Sequence, residues 1–218
     1  WEEFYGEEWE APNSSAEANL KANLLKTYLF ERILTELSKR IKEVSPSTQL
    51  YIATHSTVNY AAWSITAGLN SYLALGVIDG VIGQTWADTH NSAFKYNGQS
   101  IKDNFTNAFI EYSSYVDSVE GTNFYALADP MADGKDYKEE DLQYIYRQSV
   151  AAKLMQPEIH RFQVLPWVQR AFANVSADYR TVQSQIYEML NAVGGQEITM
   201  ETGTHGIAYL ASDSLSWM

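Results

Sequence analysis

Histidine, glutamine, aspartate and tryptophan gather where four short apolar runs of this chain end. YIATHS closes on Thr54, His55 and Ser56, and VIGQTWAD closes on Gln84, Trp86 and Asp88. FYALADPMAD closes on Asp129 and Asp133, and FQVLPW on Gln163 and Trp167. These side chains donate, accept and stack, and no cysteine or basic cluster stands among them. Such a set suits a sugar better than a phosphate or a metal, because a pyranose offers one apolar face to an indole and a rim of hydroxyls to amides and carboxylates.

Each candidate has a plainer role to set beside the chemical one. Asp129 follows an apolar run directly, where a carboxylate at a strand end faces a ligand crevice, but Asp129-Pro130 is also a common chain reversal. Asp133 precedes Gly134, as turn residues do, and Asp88 could cap a helix or act as a second acid. His55 could bond a sugar hydroxyl or tune a carboxylate, although a lone histidine often serves structure. Asn59, Gln84, Trp86 and Trp167 complete the candidate binding set. The four histidines are scattered, without metal-ligand spacing, so neither a metal nor any other cofactor is expected. A serine nucleophile elbow and a Gly-x-Gly-x-x-Gly loop are both missing from the sequence.

Composition narrows the partners. The 218 residues hold 15 Lys plus Arg against 27 Asp plus Glu, a formal charge of −12, which repels nucleic acid and anionic membranes alike. No apolar stretch reaches the ~20 residues of a membrane-spanning helix. A hydrophobic fraction of 45% is enough for a buried core. The absence of cysteine leaves the compartment open, a secreted or cell-surface bacterial location included. Asn13, Asn104 and Asn174 fit the N-glycosylation pattern, a match that chance explains equally well.

The elements that would position these residues alternate. WEEFYGEEW reads as a helix, and Ser14-Ser15-Ala16-Glu17 has capping-box spacing before a long amphipathic helix that Ser45-Pro46 stops. Its stripe is Leu20, Leu24, Tyr28, Ile33, Leu37 and Ile41, with Tyr28 expected in the core. Strands are expected over Gln49–Thr54, Val77–Gly83, Asn123–Ala128 and Ile159–Leu165. A polar loop over Asp88–Gly98 leads to a cap-like start at Ser100 and a helix through Phe105, Phe109, Tyr112 and Val116 that Gly121 ends. Further helices are expected over Asp136–Met155 and Asp178–Val193, with Gly194-Gly195 as a linker and GIAYLAS as a last strand-like run. Strands alternating with helices make this an α/β chain, either a complete doubly wound domain or half of an eight-stranded barrel.

YGEEW, IATHSTVNYAAW, DGVIGQTWADT, FYALADPMAD and EIHRFQVLPW, in this order, resemble large bacterial proteins whose barrel is similar to glycoside hydrolases of the clan that includes family-42 β-galactosidases. The resemblance covers about residues 1–193. It implies the carboxyl-terminal half, strands five to eight, of a (β/α)8 TIM barrel over 1–193, followed over 194–218 by a linker and the first strand of a flavodoxin-like domain. The family's nucleophile is a glutamate at the end of strand seven, and Asp129, a shorter acid, holds the matching place. The acid/base carboxylate would lie upstream of Trp1, so the rest of the chain would be a partner of this segment. Relatives often carry glutamate where this chain has Gln163. The implied activity is hydrolysis of glycosidic bonds in an oligo- or polysaccharide, with Asp129 and Asp88 catalytic and His55, Asn59, Gln84, Trp86, Asp133 and Trp167 binding. A barrel that binds sugar without cleaving it is the alternative.

Overall fold

Serine, glycine and proline set the element boundaries in the computed structural model, which describes residues 1–55, 69–86, 93–119, 121–129, 138–163, 175–194 and 196. In chain order the elements are α1 (Glu2–Tyr5), α2 (Ala16–Val44), β1 (Tyr51–His55), α3 (Leu69–Ala74) and β2 (Gly80–Trp86). They continue with β3 (Ala93–Tyr96), β4 (Gln99–Lys102), α4 (Asn104–Ser118), β5 (Asn123–Asp129), α5 (Glu139–Leu154), β6 (Phe162–Gln163) and α6 (Ala177–Val193). One sheet has the order β1-β2-β5-β6, and β3 and β4 form a separate antiparallel pair. Among the described residues, those in Trp1–Ile82 and Asp117–Asn123 form one compact unit, and those in Gly83–Val116 and Phe124–Gly206 form a second.

In the first unit, α2 begins at Ser15, whose hydroxyl accepts the Ala18 N–H at 3.0 Å and satisfies one of the orphan donors of the first turn. The cap is therefore Ser15 rather than Ser14. Helix α2 buries Ala18, Asn23, Thr27, Leu34 and Ser38, while Leu24, Tyr28, Ile33 and Leu37 are exposed. Four of the six residues of the apolar stripe expected from the sequence thus face outward, with Leu20 and Ile41 half-buried, and Tyr28 is not a core residue. The buried face is small and polar because its hydroxyls find backbone partners: Thr27 donates to the Asn23 carbonyl at 2.8 Å and Ser38 to the Val77 carbonyl at 2.9 Å. Only Glu2–Tyr5 of WEEFYGEEW is helical, since Gly6 takes a left-handed φ of 70° that closes the turn.

Asp79, which interrupts the run VIDGVIG, lies just before β2 and ties three strand starts together. Its carboxylate accepts the Leu50 N–H at 2.7 Å and the Lys42 ammonium at 3.1 Å, and its own N–H donates to the Leu50 carbonyl. Its carbonyl accepts the Asn123 amide at 3.0 Å. The Leu50 N–H, and after it Lys42, hold the Asp79 carboxyl below the usual range. Gly80 follows because a Cβ there would fall 2.1 Å from the Tyr51 ring and 2.6 Å from the Asn123 carbonyl oxygen.

The second unit is built on α4, α5 and α6. Asp103 caps α4, accepting the Thr106 N–H at 2.9 Å and its hydroxyl at 2.7 Å. Ser176 caps α6 by accepting the Tyr179 N–H at 3.1 Å and also donates to Glu139 at the start of α5. Leu142, Tyr146, Val150, Tyr179, Val182 and Ile186 fill the space between α5 and α6. A second cluster joins Ala108 and Tyr112 of α4 to Ala126 of β5, Ala152 and Ile159. Asn104 is buried at the start of α4, which is no place for a glycan.

Two expectations are overturned here. Residues 93–102 form a hairpin rather than loop and helix start: Tyr96 pairs with Gln99 across Asn97 and Gly98, whose φ angles of 50° and 76° make the two-residue turn that matches strand twist. The second is the barrel. The described residues form a small parallel sheet in which β6 has only two residues, with a hairpin between β2 and the next sheet strand, and strands five to eight of a TIM barrel are not evident. The run expected over Ile159–Leu165 starts in a turn, in which the Ile159 N–H bonds the Gln156 carbonyl at 3.1 Å, and residues 164–165 lie outside the described residues. The proposed following domain over 194–218 falls almost wholly outside the described residues.

Candidate functional site at the strand ends

In the second unit the carboxyl ends of β2, β5 and β6 lie side by side. Thr85 donates to the Leu127 carbonyl at 3.3 Å, and Leu127 pairs with Gln163 in a parallel register. Backbone positions Gln84, Thr85 and Trp86 therefore neighbour the last residues of β5, ending at Asp129, with Gln163 on the other flank. In parallel sheets this edge is where ligands bind, since crossovers return the chain to the opposite edge and leave the carboxyl ends to the loops.

Alternation along β2 explains which groups support the edge and which are presented. Val81, Gly83 and Thr85 are buried, while Ile82 and Gln84 are half-buried on the other face. Thr85 is fully buried and lies 3.1 Å from the Tyr112 hydroxyl of α4. Burial pushes the Tyr112 phenol well above its ordinary value, so it stays neutral and can serve as a hydrogen-bonding strut. Tyr115 donates to the Gln84 carbonyl at 3.4 Å. Gly83 sits between them because a Cβ there would meet the Phe124 and Tyr115 rings at 2.7 and 2.9 Å. On β5, Ala126 and Ala128 face the helices with the same small-residue logic.

His55 ends β1 in the first unit and is half-buried, and burial pushes its imidazole pKa down toward the neutral ring. Of the predicted site residues, Gln84, Trp86 and Asp129 are thus brought to one edge of the second unit. Asn59, Asp88, Asp133 and Trp167 lie outside the described residues. Sequence reasoning missed Thr85 and the supporting role of Tyr112. The available signal was Thr85 itself, a hydroxyl inside an apolar run at the position that alternation buries. Among the described residues no group of three or more His, Asp or Glu could hold a metal ion, and no helix is long and apolar enough to cross a membrane.

No family model, no curated protein and no solved structure matches the chain. The class it belongs to on its own coordinates is mixed α/β with a small parallel sheet.

Proposed function

We propose that the chain is a carbohydrate-directed protein of glycoside-hydrolase type that binds a sugar over the carboxyl ends of β2, β5 and β6. The register that sets Thr85 beside Leu127 carries this reading, because it brings Gln84, Trp86 and Asp129 off adjacent parallel strands at one edge. An amide, an indole and a carboxylate are the groups with which proteins hold a pyranose, and the four strand-end residues Gln84, Trp86, Asp129 and Gln163 include no cation for a phosphate. Asp129 acts as nucleophile or electrostatic stabiliser at the anomeric carbon. Hydrolysis requires a second carboxyl group, for which Asp88, following β2 in sequence, is the candidate within this segment.

Binding without cleavage is the second reading, favoured by Asp129 being a shorter acid than the glutamate that the resemblance places there. Titration with neutral oligosaccharides and assay on aryl glycosides separate the two. The first reading expects saturable binding together with turnover that Asp129→Asn lowers roughly 10²-fold or more, the loss of a stabilising charge alone costing about that much. Binding with no turnover in the unmodified chain selects the second reading, and no saturable sugar binding rejects both.

A further inference from the structure

Helix α2 packs inside the first unit through its small polar face and carries a second, apolar face outside, where Ile33 is 56% exposed, Leu37 43% and Val44 88%. Phe30, Ile33, Leu37, Arg40 and Val44 follow the 3-4-3-4 spacing of a coiled-coil seam, with Arg40 in one apolar position. A groove of about 900 Å³ lies on this face, and its lining includes Leu29, Ile33 and Leu37, with Leu75 just after α3. Contiguous exposed apolar surface rimmed by charge marks a place where another protein surface docks. The rim specifies which surface that is. Arg32, Glu36, Arg40 and Glu43 are all exposed, and helical spacing sets them in a row along one edge of the stripe, plus, minus, plus, minus. Within the helix Arg40 pairs with Glu36 at 2.7 Å, and Arg32 lies over the Tyr28 ring at 5.7 Å.

We propose that the occupant is a second copy of this chain, with α2 pairing antiparallel to α2 through the stripe from Ile33 to Val44 in an isologous two-fold dimer. A row that reads plus, minus, plus, minus is its own complement when reversed. With the two-fold axis beside Leu37, Arg32 faces Glu43 of the other copy, and the Glu36 and Arg40 pair faces its own inverted image. The same axis sets Ile33 against Val44 of the other copy and Leu37 against its own image. In a parallel pair the charged row would instead face the opposite edge of the stripe, where Leu34 and Ile41 carry no charge. The apolar contacts supply the affinity, whereas the exposed ion pairs add little energy and fix the direction of pairing. Because α2 is held in its own unit through its other face, the fold does not require the contact. Association adds stability only as concentration rises. The proposal stands apart from the carbohydrate reading, since it uses no residue of the strand ends.

Analytical ultracentrifugation of the full chain, from micromolar to near-millimolar concentration, should show a reversible equilibrium of monomer and dimer. Leu37→Gln should weaken the dimer roughly tenfold or more while leaving the melting temperature of dilute protein unchanged. Arg32→Glu and Glu43→Arg should each weaken self-association, because each sets like charges against one another twice across the two-fold axis. Mixed in equal amounts, these two variants should associate more tightly than either does alone, since opposite charges then meet at both ends of the pair. Thermal melts of the dilute variants establish that each is folded. A chain that stays monomeric over the whole range, a folded Leu37→Gln variant that dimerises as tightly as the unmodified chain, or a mixture no tighter than its separate components would each overturn the proposal.

Discussion

Asp79 shows how one residue can fix the entry of several strands. Its carboxylate accepts the Leu50 N–H ahead of β1 and pairs with Lys42 near the end of α2, and its backbone carbonyl accepts the Asn123 amide at the start of β5. Asp79→Ala should therefore destabilise the chain by roughly 1.5–3 kcal/mol, the range for hydrogen bonds to a charged group, read from urea unfolding. The pH dependence has a definite sign. The folded carboxyl pKa is held below the unfolded value of about 3.9, so its contribution is complete above about pH 4 and is lost as pH falls through the folded value. Asp79→Asn should flatten that acid limb; an unchanged acid limb would show that the carboxylate does not carry it. Gly83 is a second point where a single atom decides. Gly83→Val must displace the Phe124 and Tyr115 rings and should cost about 1–3 kcal/mol by overpacking.

At the scale of elements, local chemistry was legible and the destination of each face was not. Ser45-Pro46 and Gly121 mark helix ends in the sequence, and the capping-box spacing at Ser14 comes within one residue of the Ser15 cap, because capping and left-handed conformations depend on the residue type itself. Strands β1, β2 and β5 were expected within a few residues of where they lie, since short β-branched apolar runs mark buried strands. The outward stripe of α2 was illegible, since periodicity shows that a helix has two faces and only packing decides which one is covered. Leu34→Ala should cost about 2–5 kcal/mol, whereas Leu37→Gln on the outward stripe should stay within about 0.5 kcal/mol by thermal denaturation. A large loss from Leu37→Gln would mean that the stripe is covered in the folded chain. The hairpin of β3 and β4 was overlooked although Asn97-Gly98 is its signal, because the polar residues around it read as a loop. Tyr112 and Thr85 form the link between α4 and the strand-end edge. Tyr112→Phe should loosen β2 against β5 and cost about 1–3 kcal/mol, since Thr85 would lose a buried partner.

For the whole molecule, sequence spacing supplied the idea that polar strand tips converge, and the parallel register supports part of it at β2, β5 and β6. The barrel did not follow from the same spacing. Alternating strands and helices are common to barrels and open sheets, and the choice between them depends on strand length and closure that no run of residues encodes locally. The proposed carbohydrate reading does not depend on the barrel, because it is argued from the carboxyl edge of a parallel sheet, a binding place in either architecture.

The most direct measurement is amide chemical-shift mapping with an oligosaccharide that binds the full chain. The account predicts that the largest perturbations fall on residues 84–86, 127–129 and 163, and that Asp129→Asn keeps this footprint. Perturbations centred on the outer faces of α5 and α6, with residues 84–86 and 127–129 unmoved, would contradict it.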